Sequence, residues 1–141
     1  MFLMFVWYTF YNGYEFFSYR LCMDTRSGKM DCIFCKIISG ETPSTKVFEN
    51  DKVLAFKDLN PQAPVHVLVI PKCHIASADE LNAENANIAA DIFAVIPEIA
   101  KLCGLVNGYR VITNIGNDGC QSVKHMHFHV LGGEKLAERM C

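Results

Sequence analysis

Beyond residue 30 the hydrophobic positions change period along the chain, and each change marks an element. Ile33, Phe34, Ile37 and Ile38 recur at helical spacing, with Asp31 placed to cap them and Gly40 to stop them, so a short helix is expected. Pro43 breaks the chain. Lys46 to Glu49 and Lys52 to Lys57 alternate around the turn residues Asn50 and Asp51, with Val47, Val53 and Ala55 in step, which predicts a hairpin. His66-Val67-Leu68-Val69-Ile70 is apolar and β-branched enough for a buried strand ended by Pro71. Between Asp79 and Gly104 the set Ile88, Ile92, Val95, Ile96, Ile99 and Leu102 keeps a 3.6-residue period and predicts one long helix, which Pro97 should kink or end early. Tyr109 to Ile115 and His125 to Leu131 return to strand character on either side of the loop Gly116-Asn117-Asp118-Gly119.

Five strands and two helices, with consecutive strands joined by turns, argue for an α+β domain on a mainly antiparallel sheet. Length agrees, since 141 residues at 51% hydrophobic and 20% charged suit one globular domain. A formal charge of −2 excludes the basic excess of a general nucleic-acid binder, so an anionic ligand has to be held by local groups. The seven cysteines are odd in number and only Cys32 and Cys35 lie close together, which does not read as a disulfide scaffold. The expected compartment is the reducing cytoplasm, with the nucleus left open.

The aromatic residues are unevenly placed: ten of them crowd into the stretch from Phe2 to Tyr19. This opening run has no basic residue before Arg20 and no small-residue cleavage site, so it does not read as a secretory signal. Asn12, Gly13 and Glu15 interrupt it well short of the roughly 20 apolar residues that a membrane span needs. Residues 1–30 are expected to be an aromatic-rich extension, disordered or upstream of the true start, and residues 31–141 the working domain.

The chemistry concentrates in His125-Met126-His127-Phe128-His129-Val130-Leu131, which holds three of the five histidines. In a strand, positions i, i+2 and i+4 share a face, so the three imidazoles line up at steps of roughly 7 Å while Met126, Phe128 and Val130 turn to the core. Three readings compete: a catalytic zinc site, a nucleophilic histidine with supporting partners, and a structural cluster. A neutral imidazole is a good nucleophile near pH 7, because its unperturbed pKa is about 6.5. Attack on phosphorus would give a phospho-imidazole that water later opens. The preceding Gly119-Cys120-Gln121-Ser122 supplies backbone N–H groups, an amide and a hydroxyl that suit phosphoryl oxygens.

His125 to Leu131 resembles the His-x-His-x-His-x-x motif of the histidine triad superfamily. Ile33-Phe34, Leu54 to Asp58, Pro61 to His66, Val69 to Lys72, Asn114 and Gly119 to Val123 are similar to its nucleotide-binding (Hint) branch, over about residues 31 to 133. The resemblance implies a histidine-triad fold and a hydrolase or transferase of purine nucleoside phosphoramidates, working on AMP or GMP joined to an amine through a nucleotidyl-histidine. It makes His127 the nucleophile and His129 a phosphate contact. Ser122 and Gln121 would serve the leaving group and phosphoryl oxygens, and His66 the hydrogen bonding of the site. Asp58 would bind the ribose, with Ile33, Phe34, Leu59 and Leu68 as the slot for the base and Asn114 and Cys120 on the phosphate side. Spacing alone leaves Asp58 open as a turn cap and Phe34 or Leu68 as ordinary core.

Cys32-x-x-Cys35 with His74 and His125 offers a Cys₂His₂ set for a structural zinc, and zinc-binding members of the superfamily resemble the chain at these four positions. A homodimer is implied as well. Departures are Cys120, where glycine is usual, and Glu134 to Cys141, which lacks the Trp- and Pro-containing tail of many Hint proteins. Hydrolysis of dinucleoside polyphosphates and a nucleotide-binding scaffold with little turnover stand as alternatives.

Overall fold

The alternation along the strands puts hydrocarbon on both faces of one sheet, and a helix covers each face. The structure is a computed structural model that describes residues 31–139, so the expectations for the N-terminal extension 1–30 lie outside the described residues. In chain order the elements are α1 (Ile33–Ser39), β1 (Lys46–Glu49), β2 (Val53–Lys57), β3 (Val65–Pro71), α2 (Asn87–Leu102), β4 (Tyr109–Ile112) and β5 (Phe128–Gly132). The sheet order is β1-β2-β3-β5-β4, and every pairing is antiparallel. The α+β expectation therefore holds. β5, last in sequence, inserts between β3 and β4 and so brings the histidine segment to the middle of the sheet.

On one face Val53, Ala55, Val67, Val69, Phe128 and Val130 meet Ile88, Ile92, Ile96 and Ile99 of α2. On the other, Leu54, Phe56, Leu68 and Ile70 meet Phe34 and Ile37 of α1. Strands covered on both sides are apolar at nearly every position, which is why β2 and β3 read as continuous hydrophobic runs. No helix among the described residues is long and apolar enough to cross a membrane.

Several local expectations are corrected. Pro97 does not end α2, which runs on to Leu102. It lies on the exposed side, one turn beyond the exposed Phe93, where water can take up the carbonyl that Pro97 leaves without a donor. The segment from Asp79 is not yet α-helix: Ala78–Glu80 form a single 3₁₀ turn capped by the Ser77 hydroxyl. Leu102 is 60% exposed at the helix end instead of joining the stripe. Asp31 does not cap α1; Cys32 occupies the N-cap position and makes no side-chain capping bond. Gly40 stops the helix as expected, with φ +84° and its N–H donated to the Ile37 carbonyl. β2 begins at Val53 because the Asn50 side-chain oxygen accepts the N–H groups of both Lys52 and Val53, closing the turn.

Candidate active site

Of the three triad histidines only His129 lies in a strand; His125 and His127 precede β5 in non-ladder backbone. Other groups claim that backbone. The His125 N–H bonds to Val123, the Met126 N–H goes to the Ile75 carbonyl at 2.7 Å, and the His127 carbonyl accepts from the Thr113 hydroxyl at 2.9 Å. The i, i+2 alternation survives, since Met126, Phe128 and Val130 face α2. The rings are tilted together, however, and the centroids of His127 and His129 lie 5.1 Å apart.

Each ring has one nitrogen committed to a fixed partner, and that sets the other. His127 Nδ1 lies 2.7 Å from the His125 carbonyl oxygen, which can only accept, so Nδ1 carries the proton and Nε2 keeps its lone pair. His127 is 2% exposed. Every fully buried side-chain nitrogen or oxygen among the described residues has a hydrogen-bond partner. Among the described residues Nδ1 accounts for the only hydrogen bond of this ring, so its solvent contact falls on Nε2. His125 Nε2 donates to the Pro71 carbonyl at 2.9 Å, and its Nδ1 lone pair faces the sulfurs of Cys32 and Cys35.

His66 and Asp58 extend the arrangement. The Gln62 N–H donates to His66 Nδ1 at 3.1 Å, so a neutral His66 holds its proton on Nε2. That nitrogen is 2.8 Å from His129 Nδ1 and 3.3 Å from Asp58 Oδ2. The bond to His129 leaves the His129 proton on Nε2, a donor suited to a phosphoryl oxygen. Burial pushes His129 down to about 4, assisted by His127 and His66 and opposed by Asp58. Burial also lowers His66, against the pull of Asp58. Both rings are then neutral near pH 7, as this proton order requires. Asp58, His66 and His129 are close enough to suggest a metal set. The proton on His66 Nε2 occupies the place a metal would need, and makes this a hydrogen-bond relay.

The Cys₂His₂ expectation fits. Cys32 Sγ, Cys35 Sγ, His74 and His125 ligand atoms lie within 4.8 Å of one another. The sulfur–nitrogen separations are 3.6 Å and 3.7 Å to His125 Nδ1 and 3.3 Å from Cys35 to His74 Nδ1. A zinc tetrahedron with bonds of about 2.3 Å to sulfur and 2.0–2.1 Å to nitrogen has edges of about 3.6 Å. Burial lowers His125 to about 4, which keeps it the neutral imidazole that ligation needs. The rival arrangement, one zinc shared by all three triad rings, does not fit, because His125 has no nitrogen left for it: Nε2 is bonded to the Pro71 carbonyl and Nδ1 faces the two sulfurs.

The remaining candidates divide. Phe34 and Leu68 are buried together beside Phe56, and the Phe34 ring edge-stacks on His127 at 5.3 Å. Ile33 is 42% exposed next to them, whereas Leu59 stands 98% exposed and packs on nothing. Asp58 caps the turn with one oxygen, which accepts the Asn60 N–H, and its other oxygen faces His66. The Gln121 side chain staples the loop, donating to the Ala76 and Val123 carbonyls and accepting from the Gly116 N–H. Asn114 likewise binds the Gly119 carbonyl at 2.5 Å. A Cβ on Gly119 would collide with the Ile115 backbone, which explains the glycine. Cys120 takes φ +56°, the one positive φ among the described non-glycine residues, and Ser122 is exposed at the loop end.

A family model described as "Scavenger mRNA decapping enzyme C-term binding" matches residues 31–140. The chain is 50% identical over 109 residues to a 14 kDa zinc-binding protein of Zea mays, covering 74% of this chain and 83% of that one. It is 45% identical over 106 residues to Adenylylsulfatase HINT1 of Arabidopsis thaliana, covering 74% and 72%. A solved HIT family hydrolase from Clostridium thermocellum superposes with a TM-score of 0.77 at 47% identity, over 79% of this chain and 98% of that one. The chain belongs to the histidine triad (HIT) family. In this HIT protein three groups that sequence reading missed hold the histidines: the Pro71 carbonyl, the Gln62 N–H and the Thr113 hydroxyl. The first two are main-chain groups with no side-chain signature, and a lone threonine before a loop carries none either.

Proposed function

We propose that this HIT protein is a nucleotidyl hydrolase that cleaves AMP–amine phosphoramidates through a nucleotidyl-His127 intermediate. The observation that carries the reading is the fixed proton order of the rings: His127 with its lone pair on Nε2, and His129 with its proton on Nε2. Nε2 of His127 attacks phosphorus, the P–N bond breaks, and the amine departs with the bonding pair and takes up a proton from water. Water then attacks the phospho-imidazole, releasing AMP and restoring the ring. His129 holds a phosphoryl oxygen, Ser122 faces the phosphate, Asp58 binds the ribose, and Phe34, Ile33 and Leu68 bound the base. Cys32, Cys35, His74 and His125 would hold a structural zinc that ties α1 to the histidine segment. Two copies pair as a homodimer, with the outer edge of β4 as one strand edge that another chain can join.

The test offers an adenosine phosphoramidate, adenylylsulfate and diadenosine tetraphosphate to the same preparation and follows intact mass during turnover. Fastest cleavage of the P–N substrate, with an AMP adduct lost on His127→Ala, is the expected result. Preference for the polyphosphate would move the protein to that branch, and binding with background turnover would make it a scaffold.

A further inference from the structure

The two sulfurs of the Cys₂His₂ set bracket the wall of the base slot. Cys32 and Cys35 flank Ile33 and Phe34 in the first turn of α1, with no residue between the two pairs. α1 has seven residues, no side-chain N-cap and no acidic residue in its first turn, too little to be stable by itself. Its position depends on what it packs against. Phe34 and Ile37 hold it from below. Its N-terminal end is held by the sulfurs, which lie within 3.7 Å of the rings of His74 and His125. His125 is two residues before the nucleophile, and its carbonyl fixes the His127 ring. Phe34 edge-stacks on both His125, at 5.8 Å, and His127, at 5.3 Å.

We propose that metal occupancy of this cluster sets nucleotide affinity, because one ion clamps the base-slot residues Ile33 and Phe34 to the segment that carries the nucleophile. The inference rests on the nucleotide-binding reading above and adds a coupling to it. Ile33 and Phe34 are positioned through the cysteines beside them; neither touches the metal. Without the ion, the first turn of α1 rests on side-chain packing and on thiol–imidazole hydrogen bonds, weaker ties than metal bonds, and the slot loses its fixed width. The two ligands are then linked thermodynamically: whatever factor zinc contributes to nucleotide binding, the nucleotide must contribute to zinc binding.

The full chain is titrated with AMP by calorimetry in zinc-loaded form, after chelation, and after reloading. AMP binding about tenfold or more weaker in the stripped protein, restored by zinc and reproduced by the double variant Cys32→Ser, Cys35→Ser, is the expected result. The reciprocal arm works on loaded protein and does not require the stripped form to stay folded. Zinc affinity, measured by competition with a chromogenic chelator, should rise by the same factor at saturating AMP. Equal AMP affinity with and without zinc in a folded protein, zinc affinity indifferent to AMP, or failure to bind zinc would each overturn the coupling. A zinc-loaded protein that does not bind AMP would instead overturn the nucleotide-binding reading on which it rests.

Discussion

The two faces of the sheet are built from the same strands yet work differently. Toward α2 every buried partner is hydrocarbon or sulfur: valines, isoleucines, Phe128 and Met126. Toward α1 the aliphatic residues Leu54, Leu68 and Ile70 share the space with His66, His125 and His127, all buried. An aliphatic side chain needs only volume, so the α2 face tolerates many arrangements of similar size. A buried imidazole nitrogen needs a partner or an opening to solvent, and here three of the partners are rigid main-chain groups. The histidine face is therefore specified atom by atom, whereas the other is specified by shape.

The sharpest way to break this contrast is a pair of substitutions. His127→Ala should lower turnover at least about a thousandfold while the protein remains folded by circular dichroism. Ile92→Ala, on a side chain with no exposure, should cost roughly 2–5 kcal/mol of stability while leaving kcat per folded molecule within about twofold. Turnover surviving in the first variant, or collapsing in the second, would erase the distinction. Acid provides a middle-sized test. His129 has a folded-state value of about 4 against an ordinary 6.5, so the unfolded chain takes up the proton first as pH falls. Stability should be complete above about pH 6.5 and decline toward pH 4, and His129→Asn should flatten that slope in melting curves taken at each pH. An unchanged slope would mean that the ring is not buried as neutral imidazole. The smallest effect is expected at the loop. Cys120→Gly relieves a left-handed backbone in a side-chain-bearing residue and should raise stability by up to about 1 kcal/mol in urea unfolding. A loss would show that the thiol makes up for the strain.

Much of this was legible in the chain. The periods of Ile88 to Ile99, of Val53 to Lys57 and of His66 to Ile70 announced their elements because each buries a face whose spacing is dictated by local geometry. The spacing of His125, His127 and His129 likewise announced a shared face. Its register did not depend on a regular strand, since alternation needs only extended backbone. The loop bonds of Gln121 were not legible, because an amide beside a glycine loop looks the same in sequence whether it faces a ligand or its own backbone. That the helix runs on past Pro97 was not legible, because the cost of a proline depends on whether the carbonyl it leaves unpaired meets water or core, and burial is not a local property.

The sequence by itself determined the residue types, their faces and the chemistry available: three imidazoles, two thiols three positions apart, a carboxylate and an apolar wall. Only the tertiary structure decided which nitrogen of each ring carries its proton. Those choices rest on the Pro71 and His125 carbonyls and the Gln62 N–H, groups common to almost every residue, which acquire meaning only when folding places them within hydrogen-bond distance of a particular ring.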